Sequence, residues 1–423
     1  MDFSKQTAAV IGCGVIGVCT AWSLLKQGIK HVTLIDESCI PRPQGGASID
    51  GGRAIRYPYG SEEGYTLMVS DAYDAWSELW EDLGKVHYTE TGMLFVQLCA
   101  SENSVKTFRD TYGMDSYKTI KKLKSQIGEQ VKFLGKEQIQ DLHPFLRCDD
   151  LEFGLYSPKA GVLHAADIVV NTFKWVSKHP NATTLCGPEY ECIKFETNSN
   201  ENSTKNSNDP NSKENHCVLK NGKVISTDIM IFAMNCFTSK LFPEVKDTLT
   251  PSRQELVYFM PPDDEIKQWK SAPMLLEKSG EDSYYYLPYV GGTGTYGIKA
   301  STHSMDVTGY DFFTESFEPK LDFNDSITKW VQNRFSNRGD KPPLQPCFTR
   351  VCYYDVSPEE RFQMYFLNST KTAMSLYGFS GHGFKFGALV GKAVSLAATK
   401  QKSPETVQKW LAGQLTARLD TFE

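Results

Sequence analysis

The chain has 423 residues, of which 45 are basic and 51 acidic, and its formal net charge is −6. This length allows two or three domains with a large core, and the charge balance gives no sign of a nucleic-acid-binding surface. The eleven cysteines form neither a CxxC pair nor a Cys/His spacing typical of a metal site. We therefore expect reduced thiols, no metal and a cytoplasmic protein, with the peroxisome left open.

The first predicted unit is a βαβ segment. An apolar strand at residues 8–11 runs into Gly12, Gly14 and Gly17, an apolar helix follows, and a second strand ends in Asp36. Gly12 permits the tight turn, Gly14 lets the backbone approach a pyrophosphate, and Gly17 lets the helix pack closely on the strand. Asp36 would accept a hydrogen bond from a ribose hydroxyl, which favours FAD or NAD over NADP.

The same stretch has a competing interpretation. Residues 8–25 carry no charge and are long enough to suggest a membrane span or a signal sequence. Three glycines near its start and the lack of a basic leader argue against both, so we expect no membrane partner.

An arginine pair follows a glycine-rich loop at residues 45–52. Arg53 and Arg56 are three residues apart and can point from one face of a helical turn into a site. The alternative is a solvated basic pair, the more common fate of surface arginines.

The middle of the chain predicts ordinary secondary structure. Residues 71–83 have helical periodicity, and strand-like apolar runs occur at 93–96, 229–233 and 284–287. Residues 197–215 are rich in Asn, Ser, Lys and Glu and contain no aromatic residue, which predicts a disordered loop insertion.

A second glycine-rich loop opens the last apolar helix. It contains Gly381, Gly383 and Lys385, and its backbone amides could contact an anion or an electron-rich ring edge. A cation in a first helical turn opposes the helix dipole, so Lys385 is a candidate site residue rather than an ordinary lysine.

Together these landmarks resemble the monomeric sarcosine oxidase family. They are the N-terminal unit, Arg53-x-x-Arg56-x-x-Tyr59-Gly60, Ser157-Pro158-x-x-Gly161-Val162-Leu163, Gly297-Ile298-Lys299, Cys352-x-Tyr354 and the run from Gly378 to Phe386. The family includes L-pipecolate, saccharopine and N-methyltryptophan oxidases and, more distantly, fructosyl amino acid oxidases. The resemblance implies an FAD-dependent oxidase of a secondary-amine amino acid that reduces O2 to hydrogen peroxide, in a monomeric chain.

The resemblance also implies the fold, which is α/β (α+β overall). A Rossmann-like FAD-binding domain of the glutathione-reductase type would comprise residues 1–90, 151–240 and 346–400. A discontinuous, D-amino acid oxidase-like domain with an antiparallel sheet would comprise residues 91–150, 241–345 and 401–423 and bind the substrate.

Residue roles follow from the resemblance. Cys352 resembles the cysteine that holds the flavin covalently through a thioether, and Lys299 resembles the family's oxygen-activating lysine. Arg56 and Lys385 resemble the pair that binds the substrate carboxylate, with Tyr354 beside them. Arg53 resembles the second, flavin-facing arginine.

One position departs from the family. A histidine usually stands four residues before the first arginine, and here the residue is Ile49. His303 and Tyr285 match the family's other active-site histidine and tyrosine. The alternatives left open are a fructosyl amino acid oxidase, a nicotinamide-dependent dehydrogenase and a non-catalytic flavin-binding protein.

Overall fold

The computed structural model describes residues 3–40, 45–99, 112–128, 131–198, 214–279, 282–293, 295–303 and 317–423. The strands in these ranges are β1 (Thr7–Ile11), β2 (His31–Asp36), β3 (Arg53–Ile55), β4 (Tyr88–Glu90), β5 (Met93–Leu98), β6 (Lys132–Leu134), β7 (Leu151–Ser157), β8 (Gly161–Leu163), β9 (Ala182–Cys186), β10 (Cys192–Thr197), β11 (Asn215–Leu219), β12 (Val224–Thr227), β13 (Ile229–Phe232), β14 (Thr250–Phe259), β15 (Met274–Ser279), β16 (Asp282–Leu287), β17 (Ile298–Thr302), β18 (Pro346–Val356), β19 (Gln363–Phe366) and β20 (Ala373–Tyr377).

The helices are α1 (Val15–Lys26), α2 (Glu63–Leu83), α3 (Tyr112–Ile127), α4 (Lys136–Leu142), α5 (Ala165–Lys178), α6 (Thr238–Leu241), α7 (Ile266–Ser271), α8 (Leu321–Arg334), α9 (Gly387–Ala398) and α10 (Pro404–Leu411). Within the described ranges, no helix is both long and apolar enough to cross a membrane.

A six-stranded sheet carries the N-terminal unit, in the order β19-β20-β13-β1-β2-β9. All neighbours are parallel except the edge strand β19. Successive side chains of β1 point to opposite faces of the sheet. Ala8 and Val10 pack on the face that α1, α5 and α9 cover, and Ala9 and Ile11 pack with Phe232 on the other face. A parallel sheet covered on both faces in this way needs apolar residues at every position, which explains the continuous apolar runs.

Two glycines allow α1 to start directly after β1. Gly12 has a φ of +103°, and a Cβ there would lie 2.3 Å from the carbonyl oxygen of Ala233. At Gly17 a Cβ would lie 1.8 Å from the carbonyl oxygen of Gly12. Neither position has room for any side chain, so the turn and the close helix packing predicted for these glycines are present.

An eight-stranded sheet forms the second layer, in the order β18-β14-β17-β16-β15-β5-β7-β6. Its neighbours are antiparallel except β15 and β5, which run parallel. Trp269 of α7 and Trp330 and Val331 of α8 pack against one face of this sheet. The other face is therefore available for a site.

Side-chain alternation decides which residues reach that other face. Ile298 and Ala300 of β17 belong to the buried cluster under α8, so Lys299 between them points the opposite way. In β16, Tyr286 lies in the same buried cluster, and its neighbour Tyr285 points away from it.

Two small sheets complete the fold. In the first, β8 pairs antiparallel with both β3 and β4, which places Arg53 opposite Leu163. In the second, β10, β11 and β12 form a meander, and Thr197 pairs with Asn215. The ends of the predicted 197–215 loop are thus strand residues, and its residues 199–213 lie outside the described part of the chain.

Several predicted elements are present, but their first or last residues differ from those predicted. The strands expected at 93–96, 229–233 and 284–287 are β5, β13 and β16. The helix expected at 71–83 is α2, which begins eight residues earlier at Glu63.

The strands β7 and β18 lie within the ranges expected for the FAD-binding domain, 151–240 and 346–400. Both pair in the eight-stranded sheet. In addition, Trp410 and Leu411 of the C-terminal α10, assigned to the substrate part, pack in the cluster around α1 and α9.

Candidate cofactor and substrate site

A first cavity, of about 230 Å³, lies at the carboxyl ends of β1 and β2. Gly12, Gly14 and Asp36 line it together with residues 45–49. Asp36 accepts hydrogen bonds from the backbone N–H groups of Cys13 (2.6 Å) and Ser38 (2.9 Å). A carboxylate has further acceptor capacity, so Asp36 stands where a ribose hydroxyl could donate to it.

The start of α1 faces the same cavity. Gly14 is the N-cap residue and provides no side-chain cap, and a Cβ there would lie 3.2 Å from Ser48 Oγ. The first turn contains no acidic side chain. Its backbone N–H groups and the helix dipole therefore suit a phosphate, so the donor set and the space fit the pyrophosphate of a dinucleotide.

A glycine-rich segment runs from this cavity to a second one. Gly45 lies in the first cavity and forms a parallel backbone bridge with Cys352 of β18. Cys352 is fully buried, beside Leu256 and Tyr258, and burial raises the pKa of its thiol. The thiol therefore lies under the segment that joins the two cavities, although it lines neither of them.

The second cavity, of about 400 Å³, gathers residues from distant parts of the chain. The predicted site residues that line it are Arg53, Arg56, Tyr285, Lys299, His303, Tyr354, Gly381 and Lys385. They come from β3, β16, β17, β18 and the loop after β20, or directly follow these strands, so three of the sheets contribute to one site. Two predicted glycines lie elsewhere: Gly17 packs α1 on β1, and Gly383 packs against Phe379.

A buried carboxylate, Asp50, lies behind the cavity lining and is bonded to two of the lining residues. Its Oδ2 accepts from Lys299 Nζ at 2.6 Å, and it also pairs with Arg53 and accepts from the hydroxyl of Tyr258. Lys299 is 3% exposed and donates as well to the carbonyl of Gly52. Burial lowers the pKa of the Lys299 ammonium to about 8, and Asp50 opposes that change.

Two further cations of the cavity lining flank one tyrosine, Tyr59. Lys385 Nζ donates to the hydroxyl of Tyr59 at 2.8 Å and lies 5.2 Å from its ring centroid, while the Arg56 guanidinium lies 5.0 Å from the same centroid. Arg56 also donates to the hydroxyl of Tyr112 at 3.1 Å. Burial, with the positive charge of Arg56 added, holds the pKa of Lys385 well below its usual value.

Neither of these cations is in direct contact with a carboxylate in the described part of the chain, although the charge of Glu360 acts on Arg56. Within the described ranges, no carboxylate forms an ion pair with Arg56 or Lys385. A third cavity-lining cation, Arg361, is different, because it pairs with Glu62 at 2.5 Å. Positive charge taken out of water without a counter-ion is costly, so this part of the cavity is suited to an anionic ligand.

The rim and floor are completed by aromatic and imidazole groups. His303 lies 3.7 Å from the carboxylate of Glu360, and its ring lies 6.0 Å from that of Tyr354. A Cβ at Gly381 would lie 2.3 Å from the Tyr354 ring, so the glycine lets the loop lie flat on this tyrosine. Burial raises the pKa of Tyr285 to about 12, which keeps its hydroxyl protonated.

Sequence reasoning missed four residues of the site: Asp50, Tyr59, Tyr112 and His382. Tyr59 and His382 lie inside motifs that the sequence analysis quoted, and each contacts the other, since the Tyr59 hydroxyl lies 3.2 Å from His382 Nδ1. Asp50 could have been found in the sequence as the acidic residue directly before Gly51 and Gly52.

Comparison with known proteins shows similarity over nearly the whole chain. A family model described as FAD dependent oxidoreductase matches residues 7–396. Monomeric sarcosine oxidase from Bacillus sp. (strain NS-129) is 25% identical over 404 residues, 94% of each chain. N-methyl-L-tryptophan oxidase from Yersinia pestis (strain Pestoides F) is 22% identical over 398 residues, 93% of this chain and 95% of that one.

Solved structures show the same fold. The modified fructosyl peptide oxidase from Aspergillus nidulans superposes with a TM-score of 0.75 at 16% identity, covering 95% of this chain and 91% of that one.

Proposed function

Because this chain belongs to the FAD dependent oxidoreductase family, we propose that it is an oxidase of an amino acid that carries a secondary or N-substituted amine. The substrates that the sequence favours are of the L-pipecolate, saccharopine or sarcosine type. The similarity to sarcosine and N-methyltryptophan oxidases over more than nine-tenths of the chain supports this class.

One observation carries the proposal. Arg56 and Lys385 face the cavity from opposite ends of the sequence, and neither has a carboxylate partner among the described residues. A planar guanidinium and an ammonium on either side of Tyr59 suit the carboxylate of an amino acid, which would supply the missing negative charge.

The cofactor fits the two cavities. Gly12, Gly14 and the start of α1 would hold the pyrophosphate, Asp36 would bind the ribose, and the segment at residues 45–52 would lead to the second cavity. Cys352, bridged to Gly45, would attach the ring system covalently. When bound, FAD accepts the two electrons and the hydrogen of the substrate Cα–H bond and passes the electrons to O2, which leaves as hydrogen peroxide.

The residues of the chain prepare that chemistry. Arg56 and Lys385 fix the carboxylate, which orients the Cα–H bond toward the part of the cavity that Lys299 lines. The surrounding cations disfavour a protonated amine by like-charge repulsion, so the substrate reacts with its nitrogen lone pair available. The imine product then leaves and is hydrolysed by water.

Lys299 would assist the reduction of oxygen. Its buried ammonium lines the cavity and pairs with Asp50, which also pairs with Arg53. A fixed positive charge in a water-poor site stabilises the negative charge that develops on oxygen during its reduction.

A peroxide assay tests the function directly. The purified yellow protein is offered L-pipecolate, saccharopine, sarcosine, proline and fructosyl amino acids, and peroxide release is measured. We expect peroxide with at least one cyclic or N-alkyl amino acid and none with its decarboxylated analogue. Peroxide from a fructosyl amino acid alone would select the alternative substrate class. A colourless protein that reduces a nicotinamide nucleotide would refute the proposal.

A further inference from the structure

A cluster of two histidines and one aspartate lies outside both cavities. His87 comes just before β4, His164 is the N-cap residue of α5, and Asp167 is in the first turn of that helix. One potential ligand atom of each residue lies within 4.8 Å of the others. None of the three lines the cofactor or substrate cavity.

The buried histidine in this cluster has an unsatisfied nitrogen. His87 is 2% exposed, and its Nδ1 has no hydrogen-bond partner. An unpaired buried polar group costs about 1–3 kcal/mol, so such an atom calls for a specific partner that the protein itself does not provide.

The other nitrogen of each ring is already held. His87 Nε2 lies 3.3 Å from the side-chain amide of Asn171, and His164 Nε2 lies 2.9 Å from Thr89 Oγ1. Metal-binding histidines typically donate one ring N–H to a partner and turn the other nitrogen to the ion. Thr89 Oγ1 can accept from His164 Nε2 in this way, and Asn171 does the same for His87 when its amide is turned so that Oδ1 faces the ring.

The charges also suit a cation. Histidine binds metals through the unprotonated nitrogen of a neutral imidazole, so the two imidazoles add donor atoms without adding charge. Asp167 supplies the negative charge, and Lys85 is the nearby cation that opposes it. Asp167 also accepts from the N–H of Thr293 at 3.4 Å, which holds its carboxylate at the cluster.

We propose that His87, His164 and Asp167 bind a divalent transition metal ion of the zinc type. Two imidazole nitrogens and a carboxylate oxygen form a known three-ligand set for such ions, with water in the fourth position. Ligand atoms that each lie about 2.1 Å from one tetrahedral ion stand about 3.4 Å apart. The ligand atoms of the cluster lie within 4.8 Å of one another, so an ion would draw them together by up to about 1.4 Å.

The position gives the ion a structural role. His164 N donates to the carbonyl of His87 at 3.0 Å, and Ala166 N donates to the carbonyl of Asp50, also at 3.0 Å. Leu163, next to His164, pairs with Arg53. An ion here ties the start of α5 to β4 and stabilises the segment that carries the site residues Asp50 and Arg53.

Cobalt titration tests the site. The FAD-loaded enzyme is freed of metal with a chelator under reducing conditions and titrated with Co²⁺, and the visible spectrum and bound metal per chain are measured. His164→Asn and Asp167→Asn are compared with His179→Asn, a histidine at the far end of the same helix. Far-UV circular dichroism verifies that each variant is folded.

We expect about one Co²⁺ per chain, with the spectrum of a nitrogen and oxygen site. The dissociation constant should rise by more than about tenfold in His164→Asn and Asp167→Asn and stay unchanged in His179→Asn. Zn²⁺ should raise the unfolding temperature of the parent and of His179→Asn only. Equal Co²⁺ affinity in all variants, or thiolate charge-transfer bands from the eleven cysteines, would overturn the assignment.

Discussion

Asp50 Oδ2 lies 2.6 Å from Lys299 Nζ, although 249 residues separate the two in sequence. Both side chains are nearly excluded from solvent, and Arg53 pairs with the same carboxylate. The charge on Lys299 is therefore oriented and partly balanced by an acid in contact with it, whereas no carboxylate of the described residues contacts Arg56 or Lys385. This difference separates the cation proposed to act on oxygen from the two proposed to bind the substrate.

The protonation of Lys299 should set a pH limit on flavin reoxidation. Its pKa is lowered to about 8, so the rate of reoxidation by O2 should fall as the pH rises through about 8 and the ammonium is lost. Asp50 raises that pKa, so Asp50→Asn should move the inflection to lower pH. Stopped-flow reoxidation across a pH series measures both. Glu360→Gln, an acid at the cavity rim, should leave the inflection in place.

Removal of the lysine charge should slow flavin reoxidation by O2 much more than flavin reduction by the substrate. Lys299→Met retains the length of the side chain but not the ammonium. Reoxidation should slow by an amount equivalent to about 3–4 kcal/mol, since that is the typical effect of one preorganised group at developing charge. Reduction by the substrate should change far less. Equal losses in both half-reactions, measured by stopped-flow absorbance, would argue against a role for Lys299 with oxygen.

The unpaired cations should act together on the substrate carboxylate. Arg56→Ala and Lys385→Ala should each weaken substrate binding by about 2–5 kcal/mol, because each leaves a buried anion with half of its partners. The double variant should lose less than the sum of the two. Arg361→Ala is the matched control, since this cavity arginine already pairs with Glu62. Substrate titrations of flavin absorbance give the affinities, and an effect as large in the control would contradict the assignment.

A covalent link at Cys352 should survive denaturation. After acid precipitation of the parent protein, the yellow colour should remain with the pellet, and in Cys352→Ala it should move to the supernatant. Cys236→Ala, another fully buried thiol close to β18, is the control and should retain colour in the pellet. A colourless pellet from the parent would exclude attachment while leaving FAD binding intact.

Two glycines with positive φ should respond differently to alanine. Gly28 has a φ of +82° and open space around its Cβ position, so Gly28→Ala should cost about 1–2 kcal/mol of the free energy of unfolding. At Gly12 the same change adds a clash with the carbonyl of Ala233 and distorts the turn that lines the first cavity. Gly12→Ala should therefore cost more stability and also reduce the FAD content. Denaturant unfolding and the flavin-to-protein absorbance ratio measure the two effects.

Local sequence signals predicted the nucleotide-binding unit because its parts are neighbours in the chain. The turn at Gly12, the helix and the acid at Asp36 form one continuous stretch. The start of α2 escaped detection because residues 64–70 are all buried, which removes the polar face that marks an amphipathic helix.

Long-range features could not be predicted in the same way. The residues of the second cavity came together in sequence analysis only through a family resemblance. Asp50 was missed because its partner Lys299 is defined by the position of β17, not by spacing. The membership of β7 and β18 in the eight-stranded sheet likewise depends on strands far away in sequence.

The packing of α9 on α1 has a consequence for biosynthesis. The first helix of the chain buries its apolar surface against residues near the end, as Gly391 lies directly on the backbone of Cys19. During translation the part of that surface that faces α9 has no partner until α9 has left the ribosome. The nascent N-terminal unit therefore stays exposed through nearly the whole of synthesis, and a chain cut short before α9 should be a substrate for chaperones and proteases rather than a smaller flavoprotein.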